Sequence, residues 1–260
     1  MFLPQLLARA EKGDKLTVLT CYDASFAHLL AENGVDVLLV GDSLGMTVQG
    51  HATTLPVTLE QIAYHTDAVA RGSAGKAFVV ADLPFGSYQK NPEQAFDSAS
   101  RLMAAGANMV KLEGGAIMVE TVRFLSQRGI PVCGHLGLLP QSVNATGYRA
   151  QAREATAATQ LFQDATDLEA AGAQMLVLES IPAVLADEVT QHLAIPTIGI
   201  GAGPQCNGQV LVLQDLLGLT EKPPRFAKDF MEGAWNIGAA IRNYVASVKA
   251  GEFPGPEHGF

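Results

Sequence analysis

The chain has 260 residues, with 26 acidic against 17 basic side chains and a formal net charge of -9. An acid excess of this size argues against a nucleic-acid partner or an anionic membrane surface. No apolar run reaches the ~18 residues of a membrane span, and residues 1–10 lack an apolar stretch behind a basic start, so a cytoplasmic protein is expected.

In chain order, short apolar runs end repeatedly in a charged or small residue. They read LLVGDS (38–43), FVVADLP (78–84), MVKLEGG (109–115), PVCGHLG (131–137), LVLES (176–180) and TIGIGAG (197–203). Continuous apolar runs of this kind are what parallel strands buried on both faces look like. Strands are predicted at 16–22, 35–41, 76–82, 108–113, 131–135, 174–178, 196–200 and 209–213. Helical signals lie between most of them. Thr58 and Gln61 form a capping box for a helix that carries Ile62, Ala63 and Val69 and stops at Gly72. Asn91 caps a second helix that has Pro92 in its first turn and Gly106 at its end. Residues 156–171 and 183–192 fill later crossovers. Strand and helix alternating in this order predict an α/β (β/α)₈ TIM barrel, and the length is close to the ~250 residues typical of one.

One gap resists this pattern. About five residues separate Gly203 from Gln209, where a crossover helix normally needs a dozen or more. Either that connection is irregular or a strand is misplaced. Residues 235–248 put Ile237, Ile241, Tyr244 and Val248 on one stripe of an amphipathic helix, and the tail GEFPGPEHGF reads as loosely ordered. The expectation is one barrel domain over 1–260, with that helix and a short loose tail. The lowish charged fraction of 17% is in keeping with surface hidden in an oligomer. Cys21, Cys133 and Cys206 are odd in number and have no CxxC spacing, so they read as apolar fillers without a disulfide framework.

Barrel strands open their C-terminal ends on one face, so Asp42, Asp82, Lys111, Glu113, His135 and Glu179 are expected to meet there. Asp42 and Asp82 end adjacent strands. Two such carboxylates repel unless a cation sits between them, and Mg²⁺ typically takes one or two carboxylates and leaves its other positions to water and substrate. Helix capping or a salt bridge is the plainer alternative for either acid. Lys111 and Glu113 alternate on one strand and point the same way. The lysine can bind a substrate carboxylate or an enolate oxygen, form a Schiff base, or serve in a buried ion pair. His135 is either a satisfied core side chain or a charge-balancing group. Glu179 follows an apolar strand, where burial can raise a carboxylate towards the range of a general base. The glycines of GIGAGP read as a tight strand exit rather than a phosphate loop.

These residues lie within longer motifs that resemble the 3-methyl-2-oxobutanoate (ketopantoate) hydroxymethyltransferase family. The motifs are VGDSLGMTVQGHATTLPVTLEQIAYHTDAVARG, VVADLPFGSY, VKLEGG, GHLGLLPQSVNATGY, LVLESIP and TIGIGAGPQCNGQVLVLQDLLG. The resemblance runs from about Thr17 to Phe253 and includes the short spacing after Gly203. It implies a (β/α)₈ barrel, Mg²⁺ dependence, a homo-oligomer (usually a decamer of two pentameric rings) and a place in pantothenate and coenzyme A synthesis. By position, Asp42 and Asp82 match the Mg²⁺ ligands, with Glu113 a third, direct or through water. Asp42, Ser43, Asp82 and Lys111 match the groups that hold the oxo acid, and Glu179 matches the proton acceptor. The loop ATGYRAQAR departs from the family where a double glycine before the tyrosine is expected, so folate contacts there can differ.

The implied reaction moves a hydroxymethyl group from 5,10-methylenetetrahydrofolate to 3-methyl-2-oxobutanoate through a Mg²⁺-stabilised enolate, giving 2-dehydropantoate. Glu179 takes the C3 proton, while Lys111 and His135 balance charge on the substrate oxygens. Three rivals stand beside it: a Mg²⁺-dependent 2-oxo-acid lyase or mutase of a related barrel family, a Schiff-base aldolase using Lys111, and a non-catalytic barrel serving as a binding module. The lyases generally need a loop cysteine that this sequence lacks, and Glu113 lies too close to Lys111 for a free amine.

Overall fold

The computed structural model describes residues 1–260. Eight parallel strands close into one barrel: β1 Leu16–Thr20, β2 Val37–Val40, β3 Phe78–Asp82, β4 Met109–Lys111, β5 Val132–Gly137, β6 Met175–Glu179, β7 Thr197–Ile200 and β8 Gly208–Leu211. Each pairs with the next, and β8 returns to β1 through Leu16↔Gly208 and Leu19↔Leu211. The expected (β/α)₈ barrel is the fold that forms. Every residue of β1, β2, β3 and β4 is buried, which is why β2 and β3 are apolar runs without the alternation of a half-exposed strand. The register sets the functional ends side by side, with Asp82 level with Lys111 and Glu179 level with both Gly137 and Ile200.

The helix Leu59–Ser73 begins at the Thr58–Gln61 capping box, but it runs through Gly72 and ends at Ala74, whose φ is +49°. Gly72 is therefore not a stop signal. A Cβ there would stand 2.3 Å from the carbonyl oxygen of Ala24, so the missing side chain lets this helix press against the start of helix Ala24–Glu32. The helix Pro92–Ala104 starts as predicted, with the Asn91 side chain accepting from the Gln94 N–H at 2.8 Å, and Gly106 follows its end with a φ of +105°. Helices Ala155–Ala171 and Ala183–His192 make the later crossovers.

No helix joins β7 to β8. The strands are correctly placed and the connection is irregular. Lys15 Nζ donates to the carbonyls of Pro204 and Cys206 at 2.8 and 2.7 Å, and Asn207 Oδ1 accepts from the Thr197 N–H at 2.9 Å. The lysine bonds satisfy carbonyls that a crossover helix would otherwise satisfy internally, and the asparagine bond ties the end of the connection to the start of β7.

Helix Ile237–Lys249 turns Ile241, Tyr244 and Val248 inward, while Ile237 at its first position is 38% exposed. The Tyr244 hydroxyl reaches the carbonyls of Val18 on β1 and Gln209 on β8, at 3.0 and 2.8 Å, and so spans the closing seam. The tail is not loose throughout, contrary to its composition. Phe253 is buried edge-on against Phe230 and Tyr244, with ring centroids 5.4 and 6.0 Å away. Burying one aromatic ring outweighs the freedom of its Gly and Pro neighbours. All three cysteines are free and buried. No helix is long and apolar enough to cross a membrane.

At the opposite end of the barrel, buried Asp36 ties three segments together. Its carboxylate accepts from the Thr17 N–H and hydroxyl, both at 2.9 Å, and pairs with Arg9 at 2.7 Å and Lys249 at 2.9 Å. Asp36→Ala strands a backbone donor and leaves the partly buried Arg9 and Lys249 to share Asp14 alone, at 2.6 and 2.8 Å. It should cost about 3 kcal/mol of stability in urea unfolding, with steady-state activity per folded molecule unchanged. A cost below about 0.5 kcal/mol would show that solvent replaces the network.

Candidate active site

Asp42 follows β2, Asp82 ends β3, Lys111 ends β4 with Glu113 two residues on, His135 lies within β5 and Glu179 ends β6. All six, with Ser43, line one cavity of about 910 Å³ at the mouth formed by the strand C-termini. The structure thus brings together every residue that the sequence singles out.

Asp82 is the hub of the acidic side. One of its oxygens accepts from the Asp42 backbone N–H at 3.0 Å, and the other lies 3.1 Å from Lys111 Nζ. Ser43 is fixed by the Tyr22 hydroxyl at 2.7 Å. His135 links the two halves of the site. Its Nδ1 is 3.3 Å from Lys111 Nζ and 3.5 Å from Glu113 Oε1, and its Nε2 is 3.1 Å from Glu179 Oε2.

Burial opposes charge at Asp42, Asp82, Lys111, Glu113 and His135; it prevails at the two aspartates, and neighbouring groups overcome it at the other three. Asp42 is pushed up to about 8 by burial, reinforced by the negative charges of Asp82 and Glu113. Burial also raises Asp82, despite Lys111. Burial works against charge on Lys111, yet Asp82, Glu113 and Asp42 hold its pKa above the ordinary lysine value. For His135, burial and Lys111 oppose protonation, but hydrogen bonds to Glu113 and Glu179 prevail and raise it to about 9. Glu113 is lowered because contacts with His135 and Lys111 outweigh its burial. Four carboxylates face two cations, an imbalance that a divalent cation would correct.

The donor set fits such a cation. Asp82 Oδ1 and Glu113 Oε1 are buried without a well-aligned hydrogen-bond donor. No three Asp, Glu, His or Cys side chains form a closed ligand cluster, and Mg²⁺ bound by one or two carboxylates requires none. Glu113 Oε2 already accepts from the Gln141 N–H at 3.0 Å, which leaves Oε1, at the longer 3.5 Å from His135 Nδ1, as its less engaged oxygen.

Gln141 carries no mark in the sequence. Its Nε2 donates to Asp42 Oδ2 at 2.9 Å and to the Leu83 carbonyl at 3.0 Å, while its Oε1 accepts from the Tyr88 hydroxyl at 2.7 Å. One buried residue, through its side-chain amide and its backbone N–H, therefore holds Asp42 and Glu113 in place together. It lies in the PQS turn of GLLPQS, where a neutral side chain gives no spacing signal. Ser180, directly after Glu179, has a φ of +51°, a strained conformation that clusters at functional sites.

Comparison with known proteins places this cavity in a family. The profile of ketopantoate hydroxymethyltransferase matches residues 1–256. A 3-methyl-2-oxobutanoate hydroxymethyltransferase of Thiobacillus denitrificans is 62% identical over 259 residues, covering 99% of this chain and 98% of the relative. The chain belongs to the ketopantoate hydroxymethyltransferase family. A relative of the same name from Methylobacillus flagellatus is 63% identical over 262 residues, covering all of both chains. Among solved structures, phosphoenolpyruvate phosphomutase from Streptomyces platensis subsp. rosaceus superposes with a TM-score of 0.64 at 16% identity, covering 84% of this chain and 83% of that one. That likeness is one of fold alone. The ketopantoate hydroxymethyltransferase family thus shares its barrel with mutases, and full-length identity, not architecture, decides against the lyase or mutase reading.

Proposed function

We propose that the chain transfers a hydroxymethyl group from 5,10-methylenetetrahydrofolate to 3-methyl-2-oxobutanoate, giving 2-dehydropantoate and tetrahydrofolate, a step of pantothenate synthesis. The observation that carries this reading is that, in a chain matching the family over residues 1–256, a carboxylate pair, a charged lysine and a separate carboxylate share one cavity. Asp42 and Asp82 would hold Mg²⁺, with Glu113 as a nearby third carboxylate. The metal, when bound, supplies Lewis-acid stabilisation of the charge that develops on the keto oxygen.

The remaining work falls to side chains. Lys111 places its ammonium against the carboxylate or enolate oxygens of the substrate, and the Ser43 hydroxyl, held by Tyr22, donates beside it. Glu179 removes the proton from C3. His135, 3.1 Å from Glu179, orients that carboxylate and stabilises its charge. The methylene carbon is held by two folate nitrogens. Both carbon–nitrogen bonds break as it bonds to C3 and to the oxygen of a water. The protons lost from C3 and from that water end on the two nitrogens of tetrahydrofolate. The same reading includes work in the cytoplasm and a homo-oligomer, a decamer of two pentameric rings. Deuterium exchange at C3 of the oxo acid, with and without Mg²⁺, tests the enolisation step. No metal-dependent exchange would refute it.

A Schiff base needs a neutral lysine, and Lys111 is held protonated by Asp82. Borohydride added with substrate should therefore trap no covalent adduct. Lys111→Ala should raise KM for the oxo acid about 100-fold, the scale of a lost charge-assisted contact. An unchanged KM would remove Lys111 from the substrate site.

A further inference from the structure

We infer that Asp215 reads the reduced pterin of the folate, accepting paired N–H bonds from ring N3 and the 2-amino group. The inference rests on the proposed hydroxymethyl transfer and deepens it. The cavity of about 910 Å³ is at the upper end of ligand sites and far exceeds what a five-carbon oxo acid fills. The carboxylate cluster occupies the inner part. Chain that follows β8 supplies much of the rest, beginning with Val212 and continuing with Gln214 and Asp215 on the short turn Leu213–Leu216.

Asp215 is buried, and the one side-chain hydrogen bond it receives comes from Thr220, which fixes one oxygen and leaves the other open. Burial raises its pKa, the mark of a carboxylate without enough donors. Beside it, Gln214 Oε1 is also buried without a partner and lines the same cavity. Together they form an acceptor-rich wall that calls for a ligand with adjacent N–H donors. The oxo acid carries acceptors only and cannot meet that need. The 2-amino-4-oxo ring of a folate presents two parallel N–H groups on one edge, a match for a carboxylate. The gradient of exposure agrees with this orientation. Asp215 is buried, whereas Arg149, Lys222 and Arg225 on the same lining are exposed. In a chain with a net charge of -9, three cations around the outer cavity face where the glutamate carboxylates of the folate would emerge.

The test compares 5,10-methylenetetrahydrofolate with its 2-desamino-2-methyl analogue, using the full chain and its Asp215→Asn variant. The wild type should favour the natural folate by about 100-fold or more in kcat/KM, because a site built to accept N–H bonds rejects a ligand that lacks them. Asp215→Asn should lose about 100-fold on the natural folate and treat both ligands within about threefold of each other. Thr220→Val, which frees the Asp215 rotamer, should show a loss of about tenfold. A wild type that does not discriminate, or an Asp215→Asn variant that discriminates as the wild type does, overturns the inference. Metal-dependent deuterium exchange at C3 by the wild type without folate is measured alongside. Its absence would sink the transfer reaction itself, whereas exchange with unaltered discrimination in Asp215→Asn sinks only the role of Asp215.

Discussion

Glu179→Gln should slow deuterium exchange at C3 of the oxo acid by about two to four orders of magnitude, the usual worth of a positioned general base. The amide keeps the shape and one oxygen of the carboxylate but cannot take the proton. Glu179 is separated from the Asp42–Asp82 pair by β4 and β5, and its ionic contact is with His135 rather than with the acidic hub. Binding of the oxo acid with Mg²⁺ should therefore change by no more than about 1 kcal/mol, the scale of one ordinary hydrogen bond. Lost binding with exchange per bound substrate preserved would make Glu179 a ligand or a structural group, and the proton would leave to another residue.

Asp82→Asn should reduce turnover by more than about a thousandfold by removing a charged group that would hold both metal and substrate. The amide oxygen can still accept the Asp42 N–H that Asp82 accepts at 3.0 Å, so the backbone there has reason to stay in place. The decisive measurement is calorimetric titration with Mg²⁺ in the presence of the oxo acid. Heat of binding in the wild type and none in the variant is the expected result, and equal affinities would remove Asp82 from the metal site. The variant also takes from Lys111 the carboxylate at 3.1 Å, so substrate affinity should weaken together with the metal.

The strands are legible in the sequence because burial on both faces leaves little room for polar residues. Their ends are less so: 108–113 reads as strand, but β4 stops at Lys111 and leaves Glu113 two residues beyond it, its N–H bonded to the Tyr88 hydroxyl. The charged residues of the site stand out because each terminates an apolar run, a placement that strand burial by itself disfavours. Gln141 and Asp215 lie in short turns after β5 and β8, amid ordinary polar sequence. Their importance comes from what they meet in space, and spacing along the chain carries none of it. Gly72 misleads for a related reason, since a glycine that stops a helix and one that admits a neighbouring backbone look alike in sequence.

The β1–β8 seam has a consequence for how the protein acquires its chemistry. The pairing Leu16↔Gly208 joins strands from the two ends of the barrel, whereas Ile198↔Gly208 on the other side of β8 spans only the short connection. Closing the seam costs far more chain entropy than pairing β7 with β8, so it belongs late in folding, when Tyr244 can bond across it. Asp42 and Asp82 come from the first half of the barrel and Glu179 from the second. β4 and β5 join the strands of the acidic pair to that of Glu179, so an open sheet can already hold all three in register, but only closure curls them around one cavity. Catalytic competence should appear with ring closure, and refolding followed by activity should track the slowest phase seen by tertiary probes.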